Sequence, residues 1–207
     1  RNPLNLIRGL AQMIAMQPDE TQKLKERASG IIEEADRVTV QLNEFIDYSK
    51  PREPHFAPVE VARLVADVGR TLLPDIEDKQ IQFKPPETPL TIAADEQLLR
   101  QALFNLLLNA VQAVDPGGKI EVRWNEVGTG EAVLEVCDDG PGVPAGERAH
   151  IFKPYVTMRP KGVGLGLAIV QQIVSGHRWE IACVENQPRG ANFRLTHLKI
   201  VASRHEA

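Results

Sequence analysis

The stretch DEQLLRQALFNLLLNAVQAV, residues 95–114, decides the fold of most of this chain. Most of its residues are Leu, Ala or Val, as in a buried helix, and Asp95 is placed to cap the first turn. Gln101, Asn105 and Asn109 recur every four positions and therefore line one stripe of the helix. The stripe is either an ordinary solvated face or a set of working amides. In the second case Asn109 offers its side-chain oxygen to a hard cation such as Mg²⁺.

A second candidate site follows the alternating segment AVLEVCD, residues 132–138, which predicts a strand. The strand ends on Asp138, and Gly140 and Gly142 come directly after it. A carboxylate in this place can accept a hydrogen bond from an exocyclic amine such as that of adenine, and glycines let a flat ring approach the backbone. An ordinary Asp-Gly turn explains the same residues and is favoured on these residues alone.

A third motif is KGVGLGLAIV, residues 161–170, in which Gly162, Gly164 and Gly166 alternate and run into a helix. Free backbone N–H groups at a helix start bind anions such as phosphate. A flexible turn explains the glycines about equally well.

The segment between these motifs, residues 143–161, has prolines and no apolar periodicity. Phe152 and Tyr155 flank a proline, and Arg159 and Lys161 follow. It is either a surface loop with aromatic anchors or a mobile lid over a nucleotide, with little packing to order it.

The first 50 residues predict an antiparallel helical hairpin. Apolar residues spaced by three and four begin at Leu4, Pro18 breaks the pattern, and a heptad seam then runs from Leu24 to Ser49. The second arm is longer than the first, so we expect part of the first arm to lie upstream of Arg1.

The expected fold class is α+β. Residues 1–52 form the hairpin, and residues 57–203 form an α/β sandwich, a mixed sheet with helices on one face. The predicted helices of the sandwich are 59–73, 95–114 and 164–177, and its predicted strands are 81–84, 90–94, 119–124, 132–138, 179–183 and 192–198.

Composition excludes several classes of protein. The net charge of -4 and the scattered Lys and Arg argue against nucleic-acid binding. No apolar run approaches the roughly 20 residues of a membrane span, so no membrane contact is expected of this stretch. Cys137 and Cys183 fit no metal spacing and are expected to be reduced thiols, although a disulfide between them stays open. The five histidines fit no catalytic or metal pattern and are interpreted as structural or surface residues.

Taken together and in order, the motifs closely resemble the nucleotide-binding domain of sensor histidine kinases, whose superfamily includes DNA gyrase, heat-shock chaperone and mismatch-repair ATPases. NLLLNA (105–110) resembles the N box, DDGPG (138–142) the G1 box, FKPY (152–155) the F box and GVGLGL (162–167) the G2 box. RNPL (1–4) resembles the family's phosphotransfer helix, which usually reads His-Glu-Ile-Arg-Asn-Pro-Leu. The resemblance implies a Bergerat-type ATP-binding fold and a hairpin that pairs with a second copy as a four-helix bundle.

The resemblance also implies a role for each matching residue. Asn109 would hold Mg²⁺, Asp138 would read adenine, and Asn105 stands where the ATPase relatives carry a catalytic Glu. Asn2 matches the residue four after the phosphorylated histidine, where an amide positions water for dephosphorylating the response regulator. Asn2 and Asn105 are therefore the expected catalytic residues. The residues expected to contact the nucleotide are Asn105, Asn109, Asp138, Gly140, Gly142, Tyr155, Lys161, Gly162, Val163, Gly164, Leu165 and Gly166.

Two positions depart from the family pattern. The usual His-Gly-Gly is His177-Arg178-Trp179, and the usual Gly-Thr-x-Phe is Gly190-Ala191-Asn192-Phe193. The missing hydroxyl puts fine phosphate contacts in doubt, but not adenine or Mg²⁺ binding.

The expected function is that of a protein-histidine kinase in a two-component system. The γ-phosphoryl of ATP passes to a histidine and then to an aspartate of a response-regulator receiver domain, with ATP and Mg²⁺ as cofactors and a response-regulator phosphatase as a second activity. The expected partners are a second copy, paired through the hairpin, and the receiver domain. The expected location is the cytoplasm, in a parent protein that is free or anchored at the inner membrane.

Two alternatives stay open. A superfamily ATPase clamp would carry Glu at position 105 and would not need the hairpin. A catalytically silent signalling scaffold would dimerise and bind a regulator without turnover, and it could bind no nucleotide.

The match of RNPL to His-Glu-Ile-Arg-Asn-Pro-Leu implies that the phosphorylated histidine lies three residues before Arg1. None of the five histidines of the chain falls on the hairpin, so none can substitute for it. The 207-residue chain should therefore bind ATP without phosphorylating itself on histidine. Incubation with γ-labelled ATP checks this, beside a chain extended upstream by one helical arm. Acid-labile label on the short chain would contradict the expectation, and an unlabelled extended chain would favour the scaffold.

Overall fold

The computed structural model describes residues 53–157 and 164–201 continuously and, before them, residues 6, 7, 10, 13, 24, 26, 27, 29–32 and 38. The chain forms two compact units, Arg1–Lys50 and Pro51–Ala207. Among the described helices, none is long and apolar enough to cross a membrane. The predicted domain limits, 1–52 and 57–203, stay predictions.

The described residues of the first unit are all helical. Arg27 Nη1 donates to the carbonyl oxygen of Met13 at 3.1 Å. The space beside Gly30 is filled by Leu10, whose Cδ1 lies 3.5 Å from the place of a Cβ. Met13 contacts Arg27, and Leu10, which is earlier in the chain, contacts Gly30, which is later. This order of contacts is that of an antiparallel hairpin. The heptad seam and the turn at Pro18 lie largely outside the described residues.

The second unit is built on a mixed five-stranded sheet in the order β2-β4-β5-β7-β6, with a separate antiparallel pair, β1 and β3. Strands β2 and β4 are parallel, and the other neighbours are antiparallel. The arrangement confirms the predicted α+β class. The strands are β1 (Ala57–Glu60), β2 (Gln82–Lys84), β3 (Thr91–Ala94), β4 (Lys119–Val127), β5 (Glu131–Asp138), β6 (Glu180–Glu185) and β7 (Ala191–Lys199), and the helices are α1 (Val61–Thr71), α2 (Leu73–Asp78), α3 (Glu96–Ala113) and α4 (Gly166–Gly176).

The predicted helix over 59–73 is wrong at both ends. Residues up to Glu60 form β1, because Val59 pairs with Ile92 across the small sheet. At the other end Leu72 leaves helical geometry (φ -94°, ψ 4°), and α2 starts with a proline in its first turn.

The core lies between the large sheet and helices α1, α3 and α4. On β4 the buried Ile120 and Val122 alternate with the more exposed Glu121 and Arg123, so one face of the sheet meets the helices. Helix α3 is buried along most of its length, as its composition predicts. The largest fully buried side chains include Leu99, Leu103, Leu106, Leu134, Phe193 and Leu195.

One polar cluster ties the start of α3 to the end of α4. Asp95 Oδ1 accepts from the Leu98 N–H at 3.0 Å, which confirms the predicted cap, and its Oδ2 accepts from the His55 N–H at 3.0 Å. The Asp95 N–H in turn donates to His177 Nε2 at 3.0 Å. His177 Nδ1 lies 2.8 Å from the carbonyl oxygen of Ile173, which can only accept, so the proton sits on Nδ1 and the ring is neutral.

The His177 ring is buried, stacked on Trp179 with centroids 4.2 Å apart and met edge-on by Phe56 at 5.3 Å. Burial lowers the pKa of His177, and the opposing hydrogen bond to Ile173 and the charge of Asp95 do not cancel this effect. His177 is thus a structural residue, as the sequence analysis expected.

We expect the free energy of unfolding to fall as the pH falls below about 6.5, the ordinary pKa of histidine. Below this pH His177 is protonated in the unfolded chain but stays neutral in the folded protein. The free energy of unfolding therefore falls by up to about 1.4 kcal/mol per pH unit. Urea unfolding between pH 7.5 and 5.5 measures the slope, which should shrink in His177→Gln. His150→Gln controls for the loss of one imidazole, and equal slopes in wild type and His177→Gln would contradict this assignment.

Candidate nucleotide-binding site

The buried carboxylate at the end of β5 is the first element of the site. Asp138 is only 2% exposed. Its Oδ1 accepts from two backbone N–H groups, those of Gly140 at 2.9 Å and Ala191 at 3.2 Å. A buried carboxylate needs such donors, because desolvation of an unpaired charge is costly. The side chain is therefore held by the main chain of two separate segments.

The two glycines after Asp138 are required by close contacts. A Cβ on Gly140 would stand 3.0 Å from the carbonyl oxygen of Ala113, at the end of α3. Gly142 has a φ of 74°, and a Cβ there would stand 2.9 Å from the carbonyl oxygen of Gly190. The turn after β5 thus lies tightly against both the end of α3 and the β6–β7 turn.

The amide stripe of α3 is half-buried and meets the start of α4. Asn105 Nδ2 donates to the carbonyl oxygen of Gln101 at 3.0 Å. Its Oδ1 lies 3.0 Å from the place of a Cβ on Gly166, so a larger residue would push into the amide. Asn109, one turn further along α3, is half-buried. The structure thus brings Asn105 and Gly166 together, as expected if both serve one site.

The start of α4 is also connected to the segment before it. Tyr155 N–H donates to the carbonyl oxygen of Gly164 at 2.9 Å. Gly164 has a φ of 74°, and a Cβ there would stand 2.6 Å from the carbonyl oxygen of Val156. Leu165 is buried, whereas the Tyr155 side chain is exposed. These three predicted site residues therefore form one cluster at the entrance to α4.

The expectation that the lid segment has little packing is wrong for its described part, residues 143–157. Ile151 is buried, and the ring of Phe152 meets Phe193 of β7 edge-on with centroids 6.3 Å apart. Arg148 Nε donates to the carbonyl oxygen of Val143 at 2.9 Å. Mobility of the segment without nucleotide stays a prediction.

Four of the predicted site residues, Asn2, Lys161, Gly162 and Val163, lie outside the described residues. The roles assigned to them stay predictions.

The turn between β6 and β7, residues 186–190, also contacts the site, although no sequence motif indicated it. Asn186 Nδ2 donates to the main-chain carbonyl oxygen of Asp138 at 2.8 Å. Gly190 has a φ of 115° and packs so closely that a Cβ would stand 1.8 Å from the same oxygen. The Gly-Ala-Asn-Phe departure was the only signal there. It drew attention to a missing hydroxyl, whereas the Ala191 backbone makes the contact.

The two cysteines are free thiols, and burial raises the pKa of each to about 11. Cys137 lies opposite Asn192 and Cys183 opposite Phe193 in the sheet. Because Asn192 and Phe193 are consecutive strand residues, the two thiols point to opposite faces. A disulfide between them is therefore ruled out in this fold.

Metal-ligating side chains do not gather at the site. Among the described residues, no group of three or more His, Cys, Asp or Glu side chains could hold a metal ion. Mg²⁺ commonly binds through one or two protein ligands together with substrate phosphates and water. An amide oxygen on α3 near a phosphate site fits that mode of binding.

Helix α3 thus contacts the start of α4 at Asn105 and the turn after β5 at Ala113. Residues 94–201 match the family of histidine kinase-, DNA gyrase B- and HSP90-like ATPases, and residues 1–54 match the His Kinase A (phospho-acceptor) domain. The chain belongs to the sensor histidine kinases.

Two named relatives show the extent of the match. The chain is 34% identical over 197 residues to the sensor histidine kinase ZraS of Salmonella typhimurium, covering 94% of this chain and 42% of ZraS. It is 33% identical over 217 residues to the sensory histidine kinase/phosphatase NtrB of Rhodobacter capsulatus, covering 95% of this chain and 58% of NtrB. The chain thus spans about two fifths of the length of ZraS.

Solved structures agree with the fold. Full-length ShkA in complex with AMPPNP superposes with a TM-score of 0.76 at 26% identity, over 97% of this chain and 44% of ShkA. Histidine kinase ThkA in complex with the response regulator TrrA superposes with a TM-score of 0.79 at 26% identity, over 96% of this chain and 58% of ThkA.

Proposed function

We propose that the second unit binds Mg·ATP along α3, with adenine at Asp138 and the phosphates at the start of α4. One observation carries this proposal. Helix α3 contacts the predicted phosphate motif at Asn105 and the predicted adenine motif at Ala113. The two contacts are about 12 Å apart along the helix axis, which suits an extended nucleoside triphosphate.

The chemistry at the two ends supports this direction of binding. The Asp138 carboxylate is an acceptor in a buried setting, where a hydrogen bond to the adenine amine is worth most. Backbone N–H groups at the start of α4, left free by the helix, favour a polyphosphate. Asn109 would hold Mg²⁺, which would neutralise phosphate charge during transfer.

The proposed reaction is that of the parent kinase. The γ-phosphoryl of ATP passes to a histidine of the phosphotransfer helix and then to an aspartate of a response regulator. The AMPPNP complex of ShkA and the ThkA–TrrA complex support nucleotide and regulator as ligands. The name of NtrB supports phosphatase as a second activity. We expect Asn2 to serve that activity.

The first unit is proposed to pair with a second copy. Leu6, Met13, Leu24 and Ile32 are each at least 45% exposed in the single chain. Burial of such side chains in a four-helix bundle would recover about 25 cal/mol per Å² of apolar surface. The match to a His Kinase A domain supports this pairing.

The ATPase clamp is disfavoured by Asn105. The side chain of Asn105 is an amide and cannot accept a proton as the carboxylate of Glu does. Its Nδ2 already donates a hydrogen bond to the carbonyl oxygen of Gln101. Activation of water by this side chain is therefore not expected.

Asp138→Asn should weaken ATP binding at least about tenfold, because a hydrogen bond to a charged group is worth about 1.5–3 kcal/mol. The substitution is nearly isosteric, and its amide oxygen can still accept from the Gly140 and Ala191 N–H groups. Calorimetric titration with ATP measures the effect. Asp139→Asn is the matched control, since Asp139 Oδ1 accepts from the Lys119 N–H at 2.8 Å. Unchanged affinity in Asp138→Asn would refute the adenine assignment, and a wild-type chain that binds no ATP would favour the scaffold.

Asn109→Ala should remove the part of ATP affinity that depends on Mg²⁺ and leave binding in EDTA unchanged. Alanine is the best helix former, so the fold should persist. Calorimetry with and without Mg²⁺ separates the two terms, with the exposed Gln112→Ala as control. In a chain extended to include the phosphoacceptor, the same variant should lose phosphoryl transfer. Full activity or an unchanged Mg²⁺ effect would contradict the metal role.

A further inference from the structure

The β6–β7 turn contacts the C-terminal end of β5, where Asp138 lies. Strand β6 ends at Glu185, and β7 begins at Ala191. The turn is closed by a backbone hydrogen bond from Asn186 N–H to the carbonyl oxygen of Gly190, at 3.0 Å. The turn therefore presents its first residue, Asn186, and its last, Gly190, to the same neighbouring strand.

The Asn186 side chain makes a hydrogen bond to β5 just beyond the last backbone pair of β5 and β7. The last paired residues of β5 and β7 are Cys137 and Asn192. One residue further, the Asp138 carbonyl oxygen accepts from the side chain of Asn186 at 2.8 Å. The Asp138 carboxylate accepts from the Ala191 N–H at 3.2 Å. The turn therefore holds the main-chain carbonyl of Asp138, and the first residue of β7 holds its carboxylate.

The contact has little freedom to shift. Gly190 leaves no room for a Cβ against the Asp138 carbonyl oxygen, and Gly142 leaves little room against Gly190. Three stretches of backbone are therefore packed directly on one another. Within that stack, the Asn186 side chain is joined to the Asp138 carbonyl oxygen by a 2.8 Å hydrogen bond.

We infer that Asn186 is a positioning residue for adenine recognition: its amide fixes the Asp138 main chain so that the carboxylate faces the 6-amino group of the base. The inference rests on the proposed function, in which Asp138 reads adenine. Asn186 acts through Asp138 and does not touch the nucleotide. Its loss should therefore reduce selectivity for the 6-amino group, whereas general loosening of the fold would weaken all nucleotides alike.

The test compares two ligands, ATP and purine riboside 5′-triphosphate, which lacks the 6-amino group. Calorimetry gives both affinities for the wild-type 207-residue chain, Asn186→Ala and the control Gln187→Ala, an exposed neighbour in the same turn. We expect Asn186→Ala to lower ATP affinity about 3- to 10-fold, as for the loss of one hydrogen bond. Affinity for the purine analogue should change less than twofold, as should both affinities of Gln187→Ala.

Asn186→Asp keeps the size of the side chain and replaces the donor with an acceptor facing the Asp138 carbonyl oxygen. This variant should lose at least as much selectivity for ATP over the purine analogue as Asn186→Ala. If the alanine variant fails to fold, Asn186→Asp provides the test of the inference. In an Asp138→Asn background, Asn186→Ala should lower ATP affinity little further, because the effects of substitutions at coupled residues are not additive.

The outcomes separate the two proposals. Equal losses for both ligands, or an additive effect with Asp138→Asn, overturn the role of Asn186 while leaving ATP binding intact. A wild-type chain that binds neither ligand overturns the proposed function and this inference together. Selective loss of ATP binding, absent in the Asp138→Asn background, supports the inference.

Discussion

The second unit depends on one constraint: two backbone N–H groups from distant segments must reach the same carboxylate oxygen of Asp138. Burial of a carboxylate is strongly unfavourable unless donors replace the lost water. One donor, Gly140, follows β5 directly, and the other, Ala191, starts β7. Strands β5 and β7 must therefore be neighbours, and the turns at their ends must pack without side chains between them.

The other face of β5 satisfies a second buried carboxylate in a different way. Glu135 is three residues before Asp138 and accepts from Asn192 Nδ2 at 2.9 Å and Arg123 Nε at 2.8 Å, while Arg194 Nε lies 3.0 Å away. Burial by itself would raise the pKa of Glu135. The hydrogen bonds from Asn192 and Arg123, with the charges of both arginines, hold that pKa below its usual value. Here side chains supply the donors, whereas at Asp138 the main chain does.

This difference has a consequence for tolerance to substitution. The donors to Asp138 come from the backbone, so the loss of the usual hydroxyl at Ala191 leaves its bond to Asp138 in place. The donors to Glu135 are side chains on β4 and β7, and removing one would leave a buried charge with fewer partners. The hydrogen bonds to the Asp138 carboxylate are thus less sensitive to the identity of neighbouring side chains than those to Glu135.

Local signals in the sequence were sufficient for much of this fold. Helix α3 and its Asp95 cap could be predicted because the periodicity is long and the cap lies in the adjoining residues. Strand β1 could not, since only Val59 of its four residues is buried and its partner β3 is some thirty residues away. Asn186 was missed for a related reason. Asparagine is common in turns, and nothing local indicates a bond to a residue 48 positions earlier.

The buried thiols make the chain suitable for spectroscopy. Cysteine reagents attack the thiolate, and a pKa of about 11 leaves very little of it at neutral pH, behind side chains that already exclude the reagent. A cysteine introduced on an exposed surface should therefore react far faster than Cys137 or Cys183. Spin or fluorescent labels can be placed on the segment after β5 or on the hairpin arms without first replacing either native cysteine.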